Sequence, residues 1–300
     1  MGLLEDLQTE IERRALSSGG WASGNARTAG IETTCYGVMA LRHDQEPARG
    51  RAIAVLSRTQ NPDGTWPAFE GDDREGCWAT ALVLVAMRFV SVSPTRLDDA
   101  LGWLLNIRGR EGQWPWNWKF RRVDRHVQFD PDKYGWPWFS GTVSWVVPTA
   151  FALLALKQAG CCSSELALKR IRLGTEMLLD RACPNGGWNA GNGIVFSAGL
   201  SAHIDTTAIA LLALTDDEEP IVRRALNWMR EASARCSSGY SLAWTTLAFL
   251  FRDRPAAELS LARLSEVLPG KLTTLSTDTL SLAAIAIRAS AGGKNPFEVT

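Results

Sequence analysis

The stretch GGWASGNARTAGIETTCYGVMAL, residues 19–41, occurs a second time as GGWNAGN and HIDTTAIALLAL, residues 186–192 and 203–214. Each copy begins with a glycine-rich turn that contains a tryptophan. Each ends in an apolar, alanine-rich segment that opens with an acid and two threonines. Self-similarity of this kind is the signature of proteins built from stacked repeats. The chain is therefore best interpreted as a repeat protein before any single residue is assigned a role.

Weaker copies fill the rest of the chain. They are GTWPAFEGDDREGCWATALVLVAM, GQWPWNW with SWVVPTAFALLAL, SGYSLAWTTLAFL and LSTDTLSLAAIAI. Aligned on their last apolar positions, the six apolar segments place Glu32, Trp78, Val147, Asp205, Ser241 and Asp278 in one column. A second column, two residues later, contains Thr34, Thr80, Thr149, Thr207, Ala243 and Leu280. Each segment is apolar on nearly all sides, which predicts a buried helix.

Amphipathic segments alternate with the apolar ones. They cover roughly residues 3–16, 48–60, 95–107, 164–181, 218–235 and 256–268, with apolar residues at helical spacing and charges on the other face. Six amphipathic helices that alternate with six buried ones predict two concentric rings, an all-α (α/α)6 toroid. Because each pair buries its apolar face only against its neighbours, we expect one domain over residues 1–300.

The glycine–tryptophan turns all join an outer helix to the next inner one, so we expect them at one rim, with the first turns of the inner helices. Trp21, Trp66, Trp114 and Trp188 recur in these turns whatever their neighbours are, which favours a structural role. Gln60 is expected to cap backbone groups at helix ends. The threonine column is expected to bond the preceding turn.

Composition limits the classes of function. Acidic and basic residues balance at 32 each, which argues against non-specific nucleic-acid binding. The six cysteines have no metal-like spacing, and no metal or cofactor is expected. The first 16 residues lack the apolar core of a signal peptide, and no uncharged apolar run approaches about 18 residues. We expect a cytoplasmic protein with free thiols.

A long insertion interrupts the third repeat. About residues 115–141 separate Trp114 from the third apolar segment and are rich in aromatic and charged side chains. Such an insertion at one rim is a candidate functional loop. Within it, Arg121, Arg122 and Arg125 could hold a diphosphate, because arginine offers bidentate contacts to phosphate. The alternative is an ordinary solvated face.

The stretch AVLSRTQNPDGTW, residues 54–66, resembles the Gln-Trp motif of squalene and oxidosqualene cyclases. HIDTTA, residues 203–208, resembles the cyclase helix that carries the catalytic acid, whose bacterial form is Asp-x-Asp-Asp-Thr-Ala. Only the middle acid is present here, as Asp205. The whole chain resembles one α/α toroid of the terpenoid cyclase and protein prenyltransferase superfamily. The zinc ligands of the prenyltransferases are missing, because Ser237, Gly239 and Asp278 stand at the matching positions.

The resemblance implies that Asp205 is a Brønsted acid that protonates an isoprenoid alkene or epoxide. His203 is a second catalytic candidate: two residues before Asp205, it would not share a face with it within a helix, but outside the first turn its backbone is free to bring the imidazole back to Asp205. Such an acid needs an apolar cavity and donors that stabilise its anion. The structural alternative is that Asp205 complements the helix dipole in a first turn. Glu32 and Asp278, in the same column, favour that alternative, since three catalytic acids in one register would be unusual.

Aromatic side chains on the inner helices are the remaining candidates. In a cyclase such rings stabilise a migrating carbocation through their π faces. The alternative is that they only fill the axis of the toroid. With the acids of the column, the predicted substrate-binding residues are Trp78, Trp145, Trp244, Tyr36, Phe151, Asp278 and Glu32.

The leading hypothesis is a class II terpene-cyclase-like enzyme that starts the cyclisation of an isoprenoid with the Asp205 proton. A non-catalytic toroid that binds an isoprenoid or a protein is the main alternative, and a carbohydrate-active (α/α)6 enzyme is a third. A peripheral membrane contact or a partner subunit that completes the cavity is left open.

Overall fold

The computed structural model describes residues 2–42, 46–72, 75–123, 128–160 and 164–299 of the chain. In these residues the predicted all-α (α/α)6 toroid is confirmed. The inner helices are α2 (Ile31–Ala40), α4 (Ala79–Phe89), α7 (Val146–Gln158), α9 (Ile204–Ala213), α11 (Gly239–Arg252) and α13 (Thr277–Ser290). The outer helices are α1 (Leu3–Arg13), α3 (Glu46–Arg58), α5 (Leu97–Asn106), α8 (Glu165–Asp180), α10 (Pro220–Ser233) and α12 (Arg254–Val267).

The inner ring closes on itself. Each inner helix packs against the next inner helix in the chain, and α13 packs against α2. One hydrophobic core runs through all six inner helices. Two smaller elements lie outside the rings: α6 (Trp116–Arg122) in the third repeat, and a hairpin of β1 (Ile194–Val195) and β2 (Ala198–Gly199) before α9. Among the described residues, no helix is both long and apolar enough to cross a membrane.

Four buried tryptophans brace neighbouring outer and inner helices in the same way. The backbone N–H of Trp21, Trp66, Trp136 and Trp188 donates to the hydroxyl of Thr34, Thr80, Thr149 and Thr207, respectively, at 2.9 to 3.2 Å. The indole N–H of each donates to a backbone carbonyl near the end of the preceding outer helix, at 2.5 to 2.8 Å. The threonine column is therefore a structural feature.

The turn chemistry in the second repeat agrees with its sequence. Gly64 has a φ of +85°, which other residues rarely adopt, and a side chain there would meet Ala100. The Gln60 side chain accepts from the N–H of Arg96 at 3.2 Å and donates to the carbonyls of Gly64 and Arg96. It therefore joins the turn to the start of α5, as a capping role requires.

The structural role predicted for Trp114 is wrong. Its side chain is 83% exposed, and Trp136 takes the place of the brace in the third repeat. The extra chain therefore precedes the brace and lies between the end of α5 and Trp136. Spacing along the chain suggested Trp114 because the sequence GQW looks like the other turns, but only Trp136 reaches both Thr149 and Leu104.

A buried ion pair holds the start of the insertion. The Glu111 carboxylate is fully buried, accepts from the backbone N–H of Ser144 at 3.1 Å and lies 3.5 Å from the Arg181 guanidinium. Arg181, at the end of α8, is also buried and stacks over Phe129 at 3.7 Å. Asp180 contacts the same guanidinium at 3.2 Å. These contacts tie the insertion to two neighbouring repeats.

Aromatic rings fill the axis of the toroid. Tyr36, Phe151 and Trp244 are fully buried, with ring centroids 5.9 Å apart between Tyr36 and Trp244 and 6.0 Å apart between Phe151 and Trp244. Phe297 completes the cluster 4.9 Å from Trp244. Gln158, the last residue of α7, donates to the carbonyls on either side of Phe297. The C-terminal segment therefore closes the axis from the end where the inner helices finish.

Candidate functional site at the mouth of the toroid

The other end of the axis is a mouth formed by the first turns of the inner helices and the loops before them. Neighbouring loops are joined by backbone hydrogen bonds of 3.0 Å, from Ile31 to Ala68, from Trp78 to Trp138 and from Val146 to Ala190. These bonds hold four consecutive rim loops side by side. The column of acids lies in this region, because each acid is the second residue of its helix.

Glu32, Asp205 and Asp278 surround Tyr240, the second residue of α11. All three carboxyls act on the Tyr240 hydroxyl, and together with burial, the largest cause, they raise its pKa above the ordinary value. Tyr36 lies one turn below Glu32 on α2, on the same face, and its pKa is raised by burial and by Glu32. Three acids on three helices and the phenol of Tyr240 thus lie at the mouth, with the buried phenol of Tyr36 one turn below Glu32.

The pKa of Glu32 is raised from 4.5 to about 7. Burial is the largest cause, the negative charge of Asp278 is the second, and the Tyr36 hydroxyl partly offsets them. Burial also raises the pKa of Asp278, and the Thr33 hydroxyl partly offsets that rise. The charge of Asp278 therefore disfavours ionisation of Glu32, and a pKa of about 7 keeps the Glu32 carboxyl largely protonated up to neutral pH.

This shift predicts a pH-dependent stability. The folded protein holds the Glu32 proton more tightly than the unfolded chain, so the contribution is present at low pH and is lost as the pH rises from 4.5 to about 7. Between pH 5 and pH 8, the wild type should lose about 1–2 kcal/mol of unfolding free energy relative to Glu32→Gln, given partial screening by solvent. Urea unfolding of both proteins at the two pH values measures this difference.

Asp278→Asn is the control for the pH effect. Without the neighbouring charge the pKa of Glu32 falls, so the pH dependence should shrink but keep its sign. A wild type whose stability relative to Glu32→Gln rises or stays constant over this range would contradict the assignment.

Two buried polar atoms without partners lie on α13 at the mouth. Among the described residues, Asp278 Oδ1 and Ser281 Oγ are buried and form no hydrogen bond. Asp278 and Ser281 are three residues apart on α13 and share a face. Buried polar groups are nearly always bonded to protein, water or ligand. These two atoms therefore mark a place where a polar group or water from outside the chain would be stabilised.

The structure separates the two residues predicted to be catalytic. Asp205 is partly buried and lies near Tyr240. His203 is exposed and lines a groove of about 440 Å³ on the outer side of the fourth rim loop, together with Trp145, Asn192 and Leu200. No hydrogen bond joins these two described side chains. The pairing of His203 with Asp205 stays a prediction without a contact to carry it.

The predicted aromatic residues fall into three places. Tyr36, Phe151 and Trp244 form the buried axial cluster, and Trp78 lies at its upper edge, 5.5 Å from Phe151 and partly exposed. Trp145 does not join them: it precedes α7 and packs against Gly191 in the outer groove. Of the five rings, Trp78 is thus the one at the edge of the mouth that is partly open to solvent.

Of the three arginines proposed for diphosphate binding, the structure describes Arg121 and Arg122. Arg121 is ion-paired with Asp132 and bonded to Asn117, so its guanidinium already has a carboxylate partner. Arg122 is exposed, and Arg125 lies outside the described residues. Asp130 and Asp132 form a turn around Pro131, in which Asp130 Oδ1 accepts from the Asp132 N–H at 3.1 Å. Among the described residues, no three histidine, cysteine or acidic side chains are grouped so as to hold a metal ion.

Sequence reasoning missed Tyr240, Trp138 and Phe297. Tyr240 stands next to the acid column, so the alignment of the repeats could have found it. Trp138 packs edge-on against Trp78 with centroids 5.0 Å apart, but its place follows from the rim pairing, which spacing does not reveal. Phe297 lies beyond the last repeat and has no pattern around it.

Solved structures of similar architecture place this chain among known folds. The type II terpene cyclase MstE from Scytonema aligns over 97% of this chain and 99% of its own, with 14% identity and a TM-score of 0.59. The α-1,6-mannanase GH76A from Salegentibacter sp. HEL1_6 aligns over 96% and 98%, with 10% identity and a TM-score of 0.62. The fold is that of the α/α toroids. At sequence identities this low, the similarity establishes a shared fold and nothing about activity.

A protein from Actinoplanes aligns over 99% of this chain and 82% of its own, with 19% identity and a TM-score of 0.52. No protein-family model matches the chain, and no curated protein sequence matches it. Similar α/α toroids therefore include a cyclase and a glycoside hydrolase, and the choice between such activities rests on the chemistry of the mouth.

Proposed function

We propose that this toroid is a class II terpene-cyclase-like enzyme that starts the cyclisation of an isoprenoid by donating a proton at its mouth. The observation that carries the proposal is the Glu32–Asp278 pair, which keeps one carboxyl protonated near neutral pH directly above the rings of Tyr36 and Trp244. Glu32 thereby replaces Asp205 as the proposed proton donor. Asp205, across Tyr240, is proposed to stabilise positive charge in the substrate.

The acidity of Glu32 limits the class of substrate that it can protonate. A carboxyl with a pKa of about 7 is too weak an acid to protonate a carbon–carbon double bond readily, but general acids in this range protonate oxygen efficiently. We therefore propose an isoprenoid that carries an epoxide at its reactive end. The filled axis keeps the substrate in the mouth, above Tyr36 and Trp244, rather than deep inside the ring.

In the proposed reaction the Glu32 O–H gives its proton to the epoxide oxygen as a C–O bond breaks. The π electrons of a nearby double bond form the new C–C bond, and positive charge appears on the more substituted carbon. Asp205 and the partly open ring of Trp78 face this charge. Loss of a C–H proton to water or to the Glu32 carboxylate restores a double bond and leaves a cyclic alcohol.

The cyclase MstE offers partial support by analogy. Variants of that enzyme were solved with the substrate geranylgeranyl dihydroxybenzoate and with the product merosterolic acid A, so one toroid of this size accommodates a prenyl chain there. In this chain the rings below the acids suit a hydrocarbon better than a sugar, which requires many polar partners.

Glycoside hydrolysis is the second candidate. It is favoured by the raised pKa of Glu32, since glycosidases pair such an acid with an ionised carboxylate, and by the similarity to the mannanase. An inactive variant of that mannanase has two consecutive aspartates replaced and was solved with α-1,6-mannotriose. Here the mouth acids Glu32, Asp205 and Asp278 stand on three different helices, so they do not form such a pair.

A substrate panel tests the proposal. Purified protein is incubated with geranylgeranyl diphosphate, its terminal epoxide, squalene, oxidosqualene and α-1,6-linked mannan oligosaccharides, and the products are analysed by mass spectrometry. We expect a cyclic alcohol from an epoxide, with turnover reduced by about 10² or more in Glu32→Gln and by a smaller factor in Asp205→Asn. Glu258→Gln, at an exposed acid on α12, should keep full activity.

Each other outcome assigns a different function. Oligosaccharides shorter than the mannan substrate would establish that the protein is a glycoside hydrolase. Product that is lost in Asp205→Asn but kept in Glu32→Gln would return the acid to Asp205. Isoprenoid binding without any product would leave a binding toroid and contradict the catalytic proposal.

A further inference from the structure

Large apolar side chains are exposed along one side of the mouth. Trp114, Trp118 and Val123 in the insertion are 83%, 54% and 60% exposed, and Leu200 beside the β1–β2 hairpin is also exposed. Exposed apolar groups that cluster on one surface are typical of interaction sites. We name the surface formed by Trp114, Trp118, Lys119, Arg122, Val123 and Leu200 the apolar–basic rim.

The insertion is anchored to the body of the toroid. Phe120 faces inward and packs on Phe129 with centroids 5.1 Å apart. Trp116 lies between the Arg110 guanidinium, at 4.2 Å, and the Lys119 ammonium, at 4.9 Å. These contacts occupy the inner face of α6, so Trp118 and Arg122, four residues apart on one face, are directed to solvent.

The insertion and the hairpin are in contact. The backbone N–H of Gln128, in the insertion, donates to the carbonyl of Ile194 at 3.3 Å. Ile194 begins the hairpin that leads to Leu200, whose N–H donates to the carbonyl of Gly193 at 2.8 Å. The insertion and the hairpin therefore lie side by side next to the mouth.

Basic side chains accompany these exposed apolar groups. Residues 107–123 contain five basic residues and one acid, and that acid, Glu111, is buried against Arg181. Arg121 is paired with Asp132, whereas Lys119 and Arg122 are exposed on the same helix as Trp118. The exposed apolar groups of the insertion therefore lie next to exposed positive charges, although the whole chain is neutral.

We propose that the apolar–basic rim docks on the surface of an anionic lipid bilayer. Tryptophan rings are favoured at the boundary between headgroups and acyl chains, and lysine and arginine next to them are attracted to anionic headgroups. A shallow apolar patch with basic residues binds at the interface without crossing the membrane. Docking on this side would bring the mouth next to the bilayer. The proposal goes beyond the proposed function and does not depend on it.

Co-sedimentation with vesicles tests the docking. The full chain is mixed with vesicles of phosphatidylcholine alone or of phosphatidylcholine with phosphatidylserine, neither of which contains an isoprenoid. We expect binding to the anionic vesicles that weakens as salt is added. Trp114→Ser with Trp118→Ser should lower the partition coefficient about tenfold or more. Lys119→Gln with Arg122→Gln should remove the preference for anionic vesicles.

Leu259→Ser is the matched control, because Leu259 is 71% exposed on the outer helix α12, away from the rim. It should bind vesicles as the wild type does, and all variants should keep the wild-type melting temperature. Absence of wild-type binding to anionic vesicles would overturn the proposal. So would equal binding by the double tryptophan variant, or a self-association that this variant abolishes while vesicles bind nothing.

Discussion

Replacing Trp66 by alanine should lower the free energy of unfolding by about 3–5 kcal/mol, the range for a fully buried tryptophan. The side chain has no exposed surface, its indole N–H donates to the Leu56 carbonyl at 2.6 Å, and its backbone N–H is held by Thr80 at 3.0 Å. Its removal leaves a cavity between α3 and α4 and a buried carbonyl without its donor. Urea unfolding followed by circular dichroism measures the loss.

Trp114→Ala is the matched control, because the sequence places the same residue in a similar turn. Since Trp114 is exposed, we expect its replacement to change stability by no more than about 0.5 kcal/mol. Trp136→Ala, at the true brace of the third repeat, should resemble Trp66→Ala. Equal effects of Trp114→Ala and Trp66→Ala would contradict the bracing model.

Replacing Glu111 by alanine should lower the free energy of unfolding by about 3–5 kcal/mol, because it removes a buried carboxylate that is ion-paired with the buried Arg181 guanidinium. The Ser144 N–H would also lose its acceptor. The pKa of Arg181 is already lowered by burial, which Glu111 partly offsets. The unfolding free energy from urea titrations measures the cost.

The exposed ion pair of Arg121 and Asp132 is the control for charge alone. Asp132→Ala should cost no more than about 1 kcal/mol, because solvent screens an exposed pair. The loss of unfolding free energy in Glu111→Gln should lie between those of Glu111→Ala and Asp132→Ala, since an amide oxygen can still accept from the Ser144 N–H. A Glu111→Ala protein as stable as Asp132→Ala would show that the buried pair does not hold the insertion.

The local sequence pattern was sufficient to predict most of the fold. An inner helix such as α9 is apolar on nearly all sides, so it is stable only when it is buried on all sides. The turn before it needs a tryptophan that contacts both the preceding outer helix and the inner helix. The threonine column was predictable for the same reason, because each hydroxyl stands at one fixed distance from its turn. These constraints act within one repeat, and the sequence displays them directly.

The third repeat shows where pattern stops being sufficient. GQW and GWP both resemble the brace, and only the positions of Leu104 and Thr149 in the folded ring select Trp136 over Trp114. The insertion separates the brace from its outer helix, so the constant spacing of the other repeats no longer applies. Long-range packing, rather than local preference, decides this position.

The acids show the same division. The repeats by themselves determined that Glu32, Asp205 and Asp278 share one register at the mouth, because each opens an inner helix. Closure of the ring through α13 and α2 decided that Asp278 lies beside Glu32, two residues nearly at opposite ends of the chain. Burial and the charge of Asp278 then raise the pKa of Glu32. Sequence sets which groups are present, and tertiary structure sets which charges meet in a medium that screens them poorly.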